Sequence, residues 1–459
     1  MPPSSTSWKG CRVTVMGLGS FGGGVGLARH LAEQGASVTV TDLKDATALQ
    51  DALAALQGLP IRFVLGEHRD DDFVDADRVF VNPAVPLASP YLQLARSHGV
   101  PLDSELNLFV RQCAGRIVGI TGSVGKTTTT SLLGNILQTH DARTLVGGNI
   151  GGSLLSRLPD IEPDTPVVLE ISSFQLEHLD WLRYSPPLAV VLNLAPNHLD
   201  RHGTMTAYQA AKEVILAHQT PGDVAVLNWD DPTVRAMAAR GRRLFYSVHE
   251  PLEAGVYRDG DALVLASGGE RRALCHASDL RLRGLHNLGN AAAAAAAATT
   301  LGVPPATIAR GLRAFAGLPH RLEWIADKGG VAYYNDSKAT TPFSTQCALQ
   351  AFDQPVLLLA GGYDKGTPFD DLARVMQSCV RVALLYGNTA PKLAAALERV
   401  PAPPDSIQLP TLDAALQRAA ALARRGEVVL LSPACASYDQ FPHYEARGDY
   451  FRALVGDLP

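Results

Sequence analysis

The segment Arg116-Ile-Val-Gly-Ile-Thr-Gly-Ser-Val-Gly-Lys-Thr127 predicts a phosphate loop, because its pattern is typical of a buried strand, a glycine turn and the start of a helix. In such a turn the backbone N–H groups point inward around phosphate oxygens, and the helix N-terminus adds positive charge. Lys126 would face the β- and γ-phosphates of a nucleotide, and the Thr127 hydroxyl would bind Mg²⁺. The match to GxxxxGK[ST] is not strict, because Ile120 stands where the first glycine belongs. A glycine-rich turn without a ligand is the alternative.

Strands that alternate with helices on both sides of this segment predict an α/β protein with three consecutive domains. The N-terminal and C-terminal domains are predicted to be Rossmann-like, and the central domain to be a phosphate-loop ATPase domain. The predicted boundaries are 1–113, 114–317 and 318–459. Residues 255–273 read as a small antiparallel excursion, and the alanines at 291–298 as a closely packed helix. Buried strands are predicted at 12–16, 37–41, 78–81, 116–120, 166–169, 189–192, 223–227, 331–335, 355–359, 382–386 and 428–431.

Composition excludes several classes of protein. Apolar residues make up 46% of the 459 residues and charged residues 19%, which predicts a soluble globular chain. The net charge of −5 gives no electrostatic reason to bind nucleic acid, and no apolar run approaches the ~20 residues that span a bilayer. Residues 1–10 lack the regions of a signal peptide, and the six cysteines include no CxxC pair, so we expect reduced thiols in the cytoplasm.

A second glycine cluster, Gly17-Leu-Gly-Ser-Phe-Gly22, follows the first predicted strand, and Asp42 lies at the end of the next one. This spacing is typical of a dinucleotide fingerprint. A dehydrogenase has no use for Lys126 and Thr127, so the combination favours a Rossmann-like unit that binds another phosphate-bearing ligand. NAD(P) binding at this cluster, or a turn that serves only packing, are the alternatives.

Three polar side chains follow buried segments of the central domain. Glu170 lies at the C-terminal edge of a strand, where a carboxylate can bind Mg²⁺, although a surface glutamate is equally compatible with that position. His198 follows another strand within Asn193-Leu-Ala-Pro-Asn-His-Leu-Asp-Arg-His202, which suggests a site, although a single histidine is more often structural. Lys212 lies on the next helix, where a solvent-exposed lysine is the simplest interpretation.

An ordered set of motifs resembles the Mur ligases over nearly the whole chain. The motifs are TGSVGKTTTT at 121, GGNIG at 147, LEISSFQLE at 169, NHLDRHG at 197, YQAAK at 208, HNLGN at 286, HRLE at 320, NDSKAT at 335, GGYDKG at 361 and LLSPACASYDQF at 430. NDSKAT, in place of a DxxHxP-type motif, and SPACAS fit the glutamate-adding branch. The resemblance therefore implies an ATP-dependent ligase of peptidoglycan precursor synthesis that adds D-glutamate to UDP-N-acetylmuramoyl-L-alanine through an acyl phosphate.

The resemblance also implies roles for individual residues. Catalytic roles would fall to Lys126, Glu170, His198, Lys212 and Lys338. ATP would contact Gly122, Ser123, Val124, Gly125, Lys126, Thr127, Thr128, Asn287, Asn290, Arg321 and Asp336. Two Mg²⁺ sites would use Thr127, Glu170, His198 and Lys212, the lysine being carbamylated. The UDP substrate would contact Ser20, Phe21, Asp42, Leu43, Lys44, Asn149 and His198, and glutamate would contact Thr340, Lys365, Ser437 and Tyr444.

Several positions depart from the family pattern. Val124 replaces the usual asparagine or lysine, Ala84 stands where a glycine is frequent, and Tyr444 stands where phenylalanine is common. The alternatives are an L-glutamate-specific variant, another Mur or folylpolyglutamate-type ligase, and a nucleotide sensor without activity. A sensor would be expected to lack one of the implied catalytic residues, and all five are present. The implied partners are small molecules, without nucleic acid or membrane insertion, and a monomer is expected.

Overall fold

A computed structural model describes residues 7–19 and 22–458, apart from the side chain of Asp200. The chain forms two compact units. The first contains the residues up to Ala277 together with Gly289–Ala314, and the second contains Ser278–Leu288 together with the residues from Phe315 onward. Within the described part of the chain, no helix is long and apolar enough to cross a membrane.

The first sheet is a wound parallel sheet near the N-terminus. Its region contains β1 (Arg12–Met16), α1 (Gly23–Glu33), β2 (Ser37–Asp42), α2 (Gln50–Ala55), β3 (Ile61–Leu65), α3 (Asp71–Val74), β4 (Arg78–Val81), α4 (Pro90–Ser97), β5 (Leu102–Asp103) and α5 (Glu105–Gln112). The strand order is β3-β2-β1-β4-β5. Because the order reverses at β1, the glycine turn after β1 and the residues after β4 meet in one crevice. β3 was not predicted, because its half-exposed side chains form no buried run.

The second sheet contains the phosphate-loop segment near its middle. Its region contains β6 (Arg116–Thr121), α6 (Lys126–His140), β7 (Leu145–Gly148), a 3₁₀ helix (Leu155–Asp160), β8 (Pro166–Glu170), α7 (Ser173–Leu182), β9 (Leu188–Val191), α8 (Leu199–His202), α9 (Met205–Ala217), β10 (Val224–Asn228), α10 (Pro232–Ala236), β11 (Arg242–Ser247), β12 (Gly255–Asp259), β13 (Ala262–Ser267), β14 (Glu270–His276), a second 3₁₀ helix (Ala277–Asp279), α11 (Leu285–Thr300) and α12 (Pro305–Ala314). The order is β14-β13-β12-β11-β10-β9-β6-β8-β7, and β6 therefore lies between β8 and β9. β12, β13 and β14 pair antiparallel, which confirms the predicted excursion.

The alanine run is fully buried inside α11. Each alanine at 291–298 has an exposed fraction of 0%. Their methyl groups allow neighbouring elements to approach closely, and alanine also has the highest helix propensity. The prediction of a closely packed helix is therefore confirmed.

The third sheet forms the core of the second unit. Its region contains β15 (Glu323–Lys328), β16 (Val331–Asn335), α13 (Pro342–Leu349), β17 (Val356–Gly361), α14 (Asp370–Cys379), β18 (Val380–Tyr386), α15 (Ala390–Leu397), β19 (Asp405–Leu409), α16 (Leu412–Leu422), β20 (Val428–Leu431) and α17 (Tyr444–Gly456). The order is β15-β16-β20-β17-β18-β19, parallel except for β15. β16, β17 and β20 are adjacent, so the segments that follow them share one edge. β15 and β19 were not predicted, because these edge strands are largely exposed.

Candidate active site

The predicted phosphate loop connects β6 to α6 as a tight glycine turn. Gly125 has φ 85°, and a Cβ atom there would come within 2.4 Å of the Asn290 side-chain oxygen. Gly122 has φ 156°. Lys126 Nζ donates to the carbonyls of Gly122 and Ser123 at 2.8 and 3.2 Å. Glycine is therefore required at position 125 by both backbone conformation and space, and the lysine lies across the loop.

Residues after β9 hold the phosphate loop from one side. The Asn193 side chain accepts from Val124 N at 2.9 Å and donates to Val124 O at 3.0 Å. Ser123 Oγ donates to Ala195 O at 2.9 Å and lies 3.1 Å from the Tyr208 hydroxyl. The loop is thus held through the backbone of Val124, whose side chain is 38% exposed. No role was predicted for Asn193 from the sequence, although its position directly after a buried strand was an available signal.

A buried carboxylate lies at the C-terminal end of β8. Glu170 is 2% exposed, and its Oε1 accepts from Asn149 Nδ2 at 2.9 Å. Asn149 follows the neighbouring strand β7, and its backbone N–H donates to Glu170 O at 2.8 Å. The other oxygen, Glu170 Oε2, is buried without a hydrogen-bond partner among the described residues. A buried carboxylate that is half satisfied is costly unless a cation binds it, so this oxygen fits a metal ligand.

His198 and Thr127 are two further residues that are predicted to bind metal. His198 is exposed, has a left-handed φ of 52°, and its ring lies 5.1 Å from the Phe174 ring. Among the described residues, no group of three His, Cys, Asp or Glu side chains is arranged to hold a metal ion. Mg²⁺ usually keeps several waters and uses one or two carboxylates plus substrate phosphates. Glu170 and the Thr127 hydroxyl therefore fit an Mg²⁺ that is completed by a nucleotide.

Lys212 is 1% exposed on α9, so the interpretation of a solvent-exposed helix lysine is wrong. Its Nζ donates to Gly122 O at 3.0 Å and to Thr121 Oγ1 at 3.3 Å. Burial, and then the charge of Lys126, lower the pKa of Lys212 well below its usual value, while Glu170 acts in the opposite direction. The neutral amine, which is the nucleophilic form, is therefore easier to reach here than in an exposed lysine.

The crevice of the first sheet contains the predicted UDP-binding residues. Asp42 Oδ2 accepts from Leu18 N at 3.0 Å, which ties the end of β2 to the glycine turn after β1. Asp42 Oδ1 accepts from Lys44 N at 2.9 Å, and the intervening Leu43 side chain is 67% exposed. Ser20 and Phe21 lie outside the described residues.

In the second unit, polar residues follow β16 and β20. Asp336 accepts from Leu322 N at 3.2 Å and from Ser432 Oγ at 2.8 Å. Burial raises the pKa of Asp336 to about 7, although these hydrogen bonds act to lower it. Lys338 Nζ lies 5.0 Å from the centre of the Tyr444 ring, a cation–π contact.

Arg447 joins the two segments that carry the predicted glutamate-binding residues. Its fully buried guanidinium donates to Ser337 O at 2.8 Å, to Ser337 Oγ at 2.9 Å, and to the carbonyls of Cys435 and Ala436 at 3.1–3.2 Å. Arg447 was not predicted from the sequence, because it lies on α17 outside all of the quoted motifs.

Three family models match successive parts of the chain. Residues 11–103 match the "Mur ligase MurD-like, N-terminal domain", residues 120–298 the "Mur ligase middle domain", and residues 320–435 the "Mur ligase, glutamate ligase domain". The chain belongs to the Mur ligase family. Each match lies within one of the predicted domains, and the three-domain α/β fold of the Mur ligases is confirmed, while the predicted boundaries themselves stay predictions.

Relatives of this Mur ligase align over its full length. The chain is 49% identical to the UDP-N-acetylmuramoylalanine–D-glutamate ligase of Roseiflexus sp. (strain RS-1), over 97% of this chain and 98% of the relative. It is 40% identical to the protein of the same name from Pelotomaculum thermopropionicum, with the same coverage. Among solved structures, a pseudomurein peptide ligase type C from Methanothermus fervidus has a TM-score of 0.61 at 19% identity, over 98% of this chain and 100% of that one. MurF ligase from Thermotoga maritima in complex with ADP has a TM-score of 0.59 at 20% identity, over 98% and 96%. These two structures show the shared fold.

The structure groups the site residues of this Mur ligase by unit. In the first unit, Asn290 accepts from Thr129 Oγ1 at 3.2 Å beside the phosphate loop, and Thr128 is buried on α6. In the second unit, Asn287 Nδ2 donates to Arg283 O at 2.8 Å. The remaining predicted residues of the second unit lie in its motif segments: Arg321 and Thr340 are half-buried, Ser437 is buried and Lys365 is exposed.

Proposed function

We propose that this Mur ligase joins D-glutamate to UDP-N-acetylmuramoyl-L-alanine with ATP, giving ADP, phosphate and the UDP-linked dipeptide. The observation that carries the proposal is the half-satisfied, buried carboxylate of Glu170 on the strand next to the phosphate loop. This pair of features suits a Mg²⁺-nucleotide that activates an acid. The names of relatives that are 40–49% identical over the whole chain support the choice of acid and amino acid.

The first half of the proposed reaction belongs to residues of the first unit. The alanyl carboxylate oxygen attacks the γ-phosphorus, the bond to ADP breaks, and an acyl phosphate forms on the substrate. Lys126 and the loop N–H groups, with Gly122, Ser123, Val124, Gly125 and Thr128 nearby, reduce the repulsion between the two anions. Mg²⁺, when bound by Thr127, Glu170 and His198, supplies further charge to the phosphoryl oxygens. Asn149 holds Glu170 in the orientation that leaves Oε2 available.

Carbamylation of Lys212 would complete a second Mg²⁺ site. The amine is buried beside the phosphate loop and its pKa is lowered, which supports reaction of the neutral form with CO₂. The amine nitrogen would bond to the CO₂ carbon and lose a proton, which leaves a carbamate anion close to Glu170. That change converts a group that repels a metal ion into one that binds it.

The second half of the proposed reaction depends on residues of the second unit. The glutamate amine attacks the acyl carbon, the acyl–phosphate bond breaks, and the amine loses a proton as the amide forms. Thr340, Lys365, Ser437 and Tyr444 are proposed to hold the glutamate, with Lys338 acting on the reacting groups. Asn287, Arg321 and Asp336 are proposed to contact ATP, together with Asn290 of the first unit. UDP is proposed to bind at Asp42, Leu43, Lys44, Ser20 and Phe21.

The test is ADP release from ATP with UDP-N-acetylmuramoyl-L-alanine and each glutamate enantiomer supplied in turn. We expect release with D-glutamate and none above background with L-glutamate, with folate substrates or without the UDP substrate. Lys126→Met should reduce the rate by at least about a hundredfold, whereas Lys9→Met, an exposed lysine of the first unit, should not change it. Turnover with L-glutamate and not with D-glutamate, or with a folate substrate and not with the UDP substrate, would overturn the proposal. That the enzyme is monomeric, lies in the cytoplasm and acts on small molecules stays a prediction.

A further inference from the structure

Arg201 connects the first sheet to the second within the first unit. Its guanidinium donates to Ala84 O at 3.0 Å, to Val85 O at 2.8 Å and, at the limit of hydrogen bonding, to Pro83 O at 3.5 Å. These carbonyls belong to the 82–85 loop, which follows β4. Among the described residues, no other donor contacts them. A half-buried arginine therefore satisfies the backbone of a whole turn.

The same guanidinium also lies over an aromatic ring of the second sheet's region. Arg201 Cζ is 4.8 Å from the centre of the Phe174 ring, a cation–π contact. The Phe174 ring lies 5.1 Å from His198 and stacks on His202 at 5.3 Å. Arg201 lies on the short helix α8, three residues after His198 and directly before His202.

The contacts continue from this ring to the phosphate loop. The ring of His202 lies 5.2 Å from that of Tyr208, and its Nε2 is 3.0 Å from Ser173 Oγ. The Tyr208 hydroxyl is 3.1 Å from Ser123 Oγ in the phosphate loop. Packed rings and hydrogen bonds therefore run without interruption from the 82–85 loop to the loop that binds phosphate.

The 82–85 loop lies at the crevice of the first sheet, next to the glycine turn. A Cβ atom on Gly19 would come within 2.5 Å of Asn82 Nδ2, so Asn82 packs directly on that turn. A long substrate with its nucleotide in this crevice and its carboxylate near His198 spans the two regions that Arg201 joins. The relative position of those regions decides where the carboxylate lies when the nucleotide is bound.

We propose that Arg201 is a positioning residue that fixes the 82–85 loop relative to His198, so that the UDP end of the substrate places the reacting carboxylate. This inference rests on the proposed function. Part of the higher kcat/KM of a substrate that carries UDP would then depend on Arg201, although Arg201 does not contact the reacting atoms. Three backbone carbonyls require the guanidinium fork, so lysine should replace arginine only in part.

The experiment compares two substrates in wild type and variants. UDP-N-acetylmuramoyl-L-alanine is compared with 1-phospho-N-acetylmuramoyl-L-alanine, which lacks the uridylyl group. The ratio of their kcat/KM values is measured with saturating ATP and D-glutamate. We expect Arg201→Met to reduce this ratio by about tenfold or more, Arg201→Lys to reduce it less, and the KM for ATP to stay within about twofold.

The matched control is Arg96→Met. Arg96 lies on α4 with its guanidinium 5.9 Å from the Trp181 ring on α7, so it also joins an element of the first sheet's region to α7. This variant should keep the wild-type ratio. If Arg201→Met fails to fold, Phe174→Leu, which removes the ring beneath the guanidinium, should reduce the ratio in the same direction.

Three results separate the possible failures. Equal losses for both substrates in Arg201→Met would mean a merely structural role and would overturn the inference, as would an unchanged ratio in both Arg201→Met and Phe174→Leu. Absence of ligation by the wild-type chain with either substrate would overturn the proposed function, and this inference with it. A reduced ratio with an unchanged KM for ATP supports the inference.

Discussion

The side-chain amide of Asn193 pairs with both backbone polar groups of Val124, at 2.9 Å to its nitrogen and 3.0 Å to its oxygen. The amide accepts from the N–H and donates to the carbonyl of one residue, as the backbone of a neighbouring β-strand would. It explains why valine can occupy a loop position where the family usually has a polar residue: the loop is held at this point through its backbone. The conformation of the phosphate loop should depend on Asn193 far more than on Val124.

Asn193→Leu should raise the KM for ATP by about tenfold or more, because two hydrogen bonds of about 1 kcal/mol each are lost. Val124→Asn is the matched change on the other side of the contact, and should alter the KM for ATP by less than about twofold. Initial rates at varied ATP concentration measure both. A larger effect from the Val124 change than from the Asn193 change would contradict this account of the loop.

Asp336→Asn should stabilise the protein relative to wild type, and this gain should be larger at pH 8 than at pH 5. The pKa of Asp336 is raised to about 7 in the folded state from an ordinary value of 3.8, so the folded protein keeps a proton that the unfolded chain loses. The unfolding free energy of wild type therefore falls as pH rises from about 4 to about 7, by up to about 4 kcal/mol. Asparagine can accept from Leu322 N with its Oδ1 and donate to Ser432 Oγ with its Nδ2, and it carries no charge. Thermal midpoints at pH 5 and pH 8 measure the difference, and an equal gain at both would contradict the assignment.

Arg447→Met should destabilise the second unit by about 3 kcal/mol, because the buried carbonyls of Ser337 and Cys435 lose their donors, while Ala436 O keeps only the donor Tyr363 N. Arg399→Met is the control: its guanidinium is 58% exposed and pairs with Asp370 on the surface, where an ion pair contributes about 0–1 kcal/mol. Urea unfolding followed by tryptophan fluorescence compares them. Similar losses in the two variants would show that Arg447 does not join the glutamate-binding segments as the contacts indicate.

The fold was predictable wherever strands are buried on both faces. The predicted strands at 12–16, 331–335 and 428–431 have the observed bounds, because continuous apolar runs are typical of parallel strands between helices. The half-exposed edge strands β3 and β19 carry no such run and were missed. Motif residues such as Glu170 were predicted from their position at a strand end. Asn193, Arg201 and Arg447 were not, because their roles depend on backbone groups far away in sequence, which no local pattern encodes.

Tyr444→Phe should leave the KM for glutamate within about twofold of wild type, whereas Tyr444→Leu should raise it several-fold. The ring centre of Tyr444 lies 5.0 Å from Lys338 Nζ, and phenylalanine keeps this cation–π contact of about 0.5–2 kcal/mol while leucine does not. Rates at varied D-glutamate concentration, with the other substrates saturating, decide the matter. Equal effects of the two substitutions would indicate that the hydroxyl, and not the ring, matters.

Lys212→Met should abolish ligation without lowering thermal stability. Methionine leaves no polar group unpaired, because Thr121 Oγ1 still donates to Ile171 O at 2.8 Å and Gly122 O still accepts from Lys126 at 2.8 Å. Burial lowers the pKa of Lys212 in the folded state, so the unfolded chain binds the proton more strongly, and wild type gains stability as pH rises toward the ordinary lysine value of 10.5. The variant should lack that gain and should be at least as stable as wild type at pH 7.

The same variant separates a carbamylated lysine from a catalytic amine. If Lys212 acts as a carbamate, a small carboxylate such as formate can enter the space left by the shorter methionine side chain and restore part of the Mg²⁺-dependent activity of Lys212→Met. Lys126→Met loses a cation, so formate should not restore it, which makes it the control for non-specific effects of the salt. Bicarbonate removal should slow wild type and leave the formate-treated variant unchanged. Equal responses of the two variants to formate would rule out the carbamate, and the lowered pKa would then serve an amine that acts as a base.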